Sequence, residues 1–258
     1  MSRTLSVRLK AAGLHVLGSV LVIGLFLGLV YGYWYPSPYP IIFSTFDVVK
    51  VLIGVDLVLG PLLTLIVFNI AKPRKELVRD MGFILAVQLS ALIWGVHVTY
   101  SVRPQYLAFV GSTVYAVTGN DINLNELSAD IKRRAWYEPP VPVSVRGPQS
   151  QEEWGQHMAD LYNNKVPDLM YQTRRYRPYA ERVIHSTVPP LTAEALGTQS
   201  EAVRTWLASV QSMEGADDYA FYNIMSGTFT SLAAVRNEDG LLMSVMPVQP
   251  APPPKNKP

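Results

Sequence analysis

The chain has 258 residues, with 22 Lys and Arg against 20 Asp and Glu, and no cysteine. The missing cysteines exclude disulfides and thiolate chemistry, and the near balance of charge leaves no basic field for nucleic acid. Apolar residues concentrate in the first hundred positions, which predicts a membrane module at 1–100, an extracytoplasmic domain at 101–249 and a Pro-rich disordered tail at 250–258.

From Ala11 to Tyr33 the polar side chains are His15, Ser19 and the tyrosines, and the run is long enough to cross a hydrocarbon core of about 30 Å. Arg3, Arg8 and Lys10 precede it as in a secretory signal. The apolar stretch is longer than a signal's and no small-x-small cleavage site follows, so an uncleaved spanning helix is expected. Tyr31, Tyr33, Trp34, Tyr35 and Tyr39 suit an interfacial aromatic belt at its far end. Gly24, Gly28 and Gly32 recur every four residues, which puts them on one helix face where another backbone can approach.

Val48 to Phe68 is the second apolar run, and it contains Asp56. A carboxylate at membrane depth costs at least ~2.5 kcal/mol on insertion scales, so it is expected to face protein, a partner or water. Asp56, Gly60 and Thr64 form a polar, small-residue stripe, and Pro61 removes a backbone donor, which predicts a kink. Lys50 lies about 240° around the helix from Asp56, so Asp47 is its better ion partner. Two readings of the stripes stand: packing within the bundle, with Asp56 bonded to Gln88, Ser90 or a backbone group, or a docking face for another protein's transmembrane helix. An ion or proton path is a third.

Met81 to Tyr100 is the third run, carrying Gln88, Ser90 and His97. Basic residues flank the first helix and fill the loop between the second and third (Lys72, Arg74, Lys75, Arg79), whereas the loop from Tyr35 to Phe46 has none. The positive-inside rule then places the N-terminus in the cytoplasm and everything after Tyr100 across the membrane, in the periplasm. The membrane part carries 8 basic against 4 acidic residues and the remainder 14 against 16.

The outer part reads as an α+β domain with a small, mostly antiparallel sheet. Gln105 to Ala108 and Thr113 to Thr118, around Gly111-Ser112, form a strand pair or one bulged strand. Ile122 to Trp136 is expected to be helical, with Asn123 or Asp121 as N-cap. Pro139, Pro140, Pro142 and Pro148 predict an extended connector. Ser150 opens a helix through a capping box with Glu153, and Ser200 to Val210 makes another. Tyr219 to Met225, Thr228 to Arg236 and Leu241 to Val248 read as strands, with Gly240 in a hairpin loop.

No HExxH, GxSxG or phosphate-binding glycine loop is present, and His15, His97, His157 and His185 have no metal-ligand companion at the usual spacing. No metal, cofactor or catalysis is expected. Arg174, Arg175 and Arg177 among Tyr171, Tyr176 and Tyr179 read as a grip for a carboxylate or glycan, or as an amphipathic surface using Arg–aromatic stacking.

The succession WYPSPYP, GVDLVLGPLLTLIVFN, a basic loop and ILAVQLSALIWGVHVTYSVRPQYLAFV resembles the TfpX/TfpZ-type family of type IV pilin accessory proteins of Gram-negative bacteria. The likeness covers Tyr31 to Val117, and its specific parts are Asp56, Gly60, Pro61, Leu63 and Thr64 and the Arg103-Pro104 junction. It implies a non-catalytic inner-membrane protein whose partners are a type IV major pilin, membrane lipids and other pilus assembly proteins. The partner-binding residues expected are Asp56, Gly60, Pro61, Thr64, Gly24, Gly28, Gly32 and Lys50, with periplasmic contacts at Arg103, Arg174, Arg175, Arg177 and Tyr179. A periplasmic sensor and a pilin- or glycan-modifying enzyme are the alternatives.

Overall fold

The computed structural model describes residues 3–42, 49–51, 53–69, 71–182, 189–227 and 229–247. Asp47, His185 and the Pro-rich tail lie outside the described residues. The chain divides into two compact units, one formed by residues 1–34 and 44–101 and the other by residues 35–43 and 102–258.

The first unit holds three helices long and apolar enough to cross a membrane, spanning Leu5–Trp34, Val49–Val67 and Arg74–Ser101. Helix α1 (Arg3–Leu29) ends in a wide π turn, Val30–Trp34. The second helix begins at 49–51, passes through another π segment, Gly54–Leu59, and continues as α2 (Gly60–Val67). Pro61 explains the widening. It has no N–H, and the chain accommodates the loss by letting Gly60 N–H reach back five residues to the Val55 carbonyl. Helix α3 (Arg74–Ser101) completes the unit, and Lys72 pairs with Asp80 at 2.7 Å beside its start. One face of α1 and its π turn is buried through Ile23, Phe26, Val30 and Trp34, and Trp34 meets Tyr100 edge-on at 5.1 Å.

The second unit is a seven-stranded sheet: β1 (Pro104–Val110), β2 (Thr113–Thr118), β3 (Val141–Val145), β4 (Tyr176–Pro178), β5 (Tyr219–Ser226), β6 (Phe229–Arg236) and β7 (Leu242–Pro247). Their order is β4-β3-β1-β2-β5-β6-β7. The sheet is mixed, because β3 runs parallel to β1 and β5 parallel to β2, so the expectation of a small, mostly antiparallel sheet is corrected. The cause lies in two long connections, after β2 and after β4, which bring β3 beside β1 and β5 beside β2, each running in its neighbour's direction.

Strand β1 is buried on both faces. Tyr106 and Ala108 join Val117, Val143, Val145 and Tyr176 in one core, while Phe109 packs on Tyr179 and Tyr222 at 4.7 and 5.2 Å between ring centres. A second core forms where α6 (Glu201–Gln211) lays Val203, Leu207 and Val210 against Phe221, Leu232 and Ala234. These positions follow the i, i+4, i+7 period of one helical face. Helix α4 (Gln151–Tyr162) is capped by Ser150, whose hydroxyl accepts from Glu153 N–H, and α5 (Ala193–Gly197) is capped by Thr192.

Ile122 to Trp136 is not a helix. Only a single 3-10 turn forms, Leu124–Glu126, with Asn123 capping it and Asp121 accepting from Thr118. The apolar period of Leu124, Leu127 and Ile131 serves an irregular segment covering the sheet. Tyr35 and Tyr39, expected in an interfacial belt, are buried in the second unit, where the turn Tyr39–Ile41 packs on β7.

Candidate functional site

Four polar residues of the three long helices, His15, Asp56, Thr64 and Gln88, converge. Because Gly60 N–H bonds Val55, the Asp56 carbonyl is left facing Pro61, which cannot donate. The Gln88 side chain of α3 supplies the missing donor, Nε2 to Asp56 O at 3.4 Å. Gly60 makes this possible: a Cβ there would stand 1.9 Å from Gln88 Nε2. Thr64 turns its hydroxyl to the Gly60 carbonyl at 3.0 Å. His15 of α1 closes the network, with Nδ1 2.6 Å from Thr64 Oγ1 and Nε2 2.8 Å from Gln88 Oε1. Since the Gln88 amide nitrogen serves Asp56, its oxygen faces the imidazole, and His15 Nε2 donates.

Asp56 itself is 5% exposed, yet its Oδ1 accepts no hydrogen bond among the described residues. The expected partner, Gln88, is engaged with the Asp56 backbone carbonyl, and Ser90 bonds back to Ala86 at 2.8 Å. The carboxylate lines a cavity of about 480 Å³ shared by the three helices, together with His15, Ser19, Thr64 and Gln88.

Asp56, Gly60, Pro61 and Thr64 are therefore brought together inside the helical unit, whereas the glycine ridge is not. Gly24, Gly28 and Gly32 are exposed, and a Cβ at any of them would meet nothing within 4 Å. They lie roughly 150° around α1 from the face carrying Ile23, Phe26 and Val30. Lys50 is exposed at the start of the second helix, and its expected partner Asp47 lies outside the described residues.

A family model described as fimbrial assembly protein FimB matches residues 3–43. The fimbrial assembly protein of serogroups C1 and C2 from Dichelobacter nodosus is 38% identical over 118 residues, which cover 46% of this chain and 90% of that protein. The chain belongs to the fimbrial assembly protein family. The serogroup I protein of the same organism is 38% identical over 118 residues, 46% of each chain, and the serogroup E1 protein is 35% identical over 146 residues, 56% and 57%. The match thus spans about half the length of these two relatives. No solved structure matches the chain.

In this fimbrial assembly protein the residues expected as periplasmic contacts do not form one grip. Arg103 is buried, and Gln105, with its amide oxygen turned toward the guanidinium, accepts from Nη1 and Nη2 at 3.2 and 3.0 Å. Arg175 donates to Gln172 Oε1 at 2.8 Å and to the Arg146 carbonyl, and Arg177 donates to the Tyr176 carbonyl at 2.7 Å. Tyr179 is buried beneath Arg182, whose guanidinium lies 4.4 Å from the ring centre. Arg174 alone of these is exposed.

Sequence reading missed His15 and the roles of Gln88 and Thr64 together. The signal was present as four polar residues in three apolar runs, but only the fold aligns their depths. A second cavity, of about 330 Å³, lies beneath α4, where His157 is buried beside Trp154. Burial, with Arg175 nearby, holds the His157 imidazole below the usual histidine range.

Proposed function

We propose that this chain is a multi-pass inner-membrane accessory protein of type IV pilus assembly, of the TfpX/TfpZ type, that binds a major pilin without catalysing a reaction. The relatives named for fimbrial assembly support the process, and three helices apolar enough to span a bilayer support the location. The basic residues at Arg3 to Lys10 and Lys72 to Arg79 favour a cytoplasmic N-terminus, with the sheet unit in the periplasm.

The observation that carries the binding role is the exposed glycine ridge of α1. A helix free to place leucine there instead bares backbone, which suits close approach by another apolar helix. In this reading Gly24, Gly28 and Gly32 receive the pilin's membrane helix, while Gly60, Pro61 and Thr64 hold the bundle that presents them. Lys50 sits at the outer interface, and the periplasmic unit, with Arg174 exposed, contacts the pilin head. Photo-crosslinking groups placed beside Gly28 are expected to capture pilin in cells. Crosslinks confined to this chain, in cells whose piliation still depends on it, would overturn the docking role.

A further inference from the structure

The cavity of the helical unit contains an acceptor that its own described residues leave unused. Three of its other polar groups bind one another or backbone: Gln88 bonds Asp56 O and His15, and Thr64 bonds Gly60 O and His15. Asp56 Oδ1 remains, 95% of the residue being buried. An unsatisfied buried acceptor costs about 1–3 kcal/mol, and more when charged.

Depth and lining narrow the class of ligand. Asp56 stands seven residues into the span Val49–Val67, about 10 Å from its end at 1.5 Å per residue, well inside the hydrocarbon layer. Lipid headgroups do not reach that depth. The cavity walls include Leu14, Leu21, Leu85 and Leu89, all exposed on the unit's surface, so the opening faces apolar surroundings. An occupant must be apolar along its length and carry one hydrogen-bond donor part-way through the bilayer.

We propose that this cavity recognises a donor group on the membrane-spanning helix of a pilus subunit, with Asp56 Oδ1 as its acceptor. The partner's identity rests on the function proposed above; the chemistry of recognition is added here. A helix without a donor would leave Asp56 unsatisfied beneath it, so the carboxylate selects among apolar helices that shape alone does not distinguish.

The test uses the full chain in membranes of piliated cells, with a photo-crosslinking residue at Leu89. An adduct with the pilus subunit is expected, reduced about tenfold by Asp56→Leu and largely retained by Asp56→Asn, which keeps an acceptor oxygen in place. Should Asp56→Leu fail to accumulate, a subunit whose spanning helix has all donors replaced by apolar residues probes the same contact with Asp56 intact, and the same loss is expected. Adducts insensitive to both changes, or formed with a second copy of this chain, overturn the proposal. Adducts from Gly28 but not Leu89 overturn the cavity site and leave the accessory function standing, whereas adducts from neither position remove both.

Discussion

The two units solve opposite packing problems. The sheet unit buries large apolar side chains on both faces of β1 and under α6, and several of its arginines end on backbone carbonyls. The helical unit is inverted: Leu14 and Phe83 are each 72% exposed, while Asp56, Thr64 and Gln88 are buried. In water the first pattern drives folding by removing apolar area. In a bilayer that gain between helices vanishes, and close packing and interhelical hydrogen bonds take over. Small and polar residues therefore carry different information in the two units: in the sheet unit they mark turns, in the helices they mark contacts.

The largest predicted effect separates two glycines with the same sequence signature. Gly60→Leu drives a side chain into Gln88 and breaks the network to His15 and Thr64, so full-length protein should fall severely in membrane fractions measured by immunoblot. Gly28→Leu meets open space and should leave that level unchanged while reducing piliation. Equal behaviour of the two variants would dissolve the distinction between bundle and ridge. Next in size, Leu207→Ala opens a cavity between α6 and the sheet and should destabilise the sheet unit by about 2–5 kcal/mol in denaturant titration of the detergent-solubilised chain.

Smaller effects probe the polar contacts of the sheet unit. Trp206 Nε1 donates to Ser244 Oγ at 2.9 Å, and Ser244→Ala should cost about 1 kcal/mol in the same titration. His157 supplies the pH arm. Its folded imidazole binds a proton less readily than the unfolded one, so its contribution is present above the ordinary value near 6.5 and is lost as pH falls below it. Thermal stability should decline between about pH 7 and 5, and His157→Leu should flatten that slope; an unchanged slope would remove the assignment.

How much was legible beforehand differs between the units for the same reason. The three helices were readable because apolar length is a direct consequence of bilayer thickness, and α4, α6 and strands β5 to β7 were readable because caps and periodicity are local. Strand β3 was hidden by Pro140 and Pro142, which argue against a strand in a sheet interior, yet it lies between β1 and β4. The 122–136 segment showed a helix's spacing, but its apolar residues are held by contacts with the sheet. At the site, Gln88 could be named beside Asp56, but not the bond it makes, since its reach to the Asp56 carbonyl depends on the π turn that Pro61 imposes; the links of His15 to Thr64 and Gln88 were not legible.

The inverted pattern of the helical unit has meaning only if those helices cross a bilayer with the sheet unit outside. The chain lacks cysteine, so single cysteines at Ala71 and Ser209 can be labelled in spheroplasts with a membrane-impermeant maleimide. Ser209→Cys should label at once, and Ala71→Cys only after the inner membrane is opened. The reverse order, or immediate labelling of both, would contradict the account.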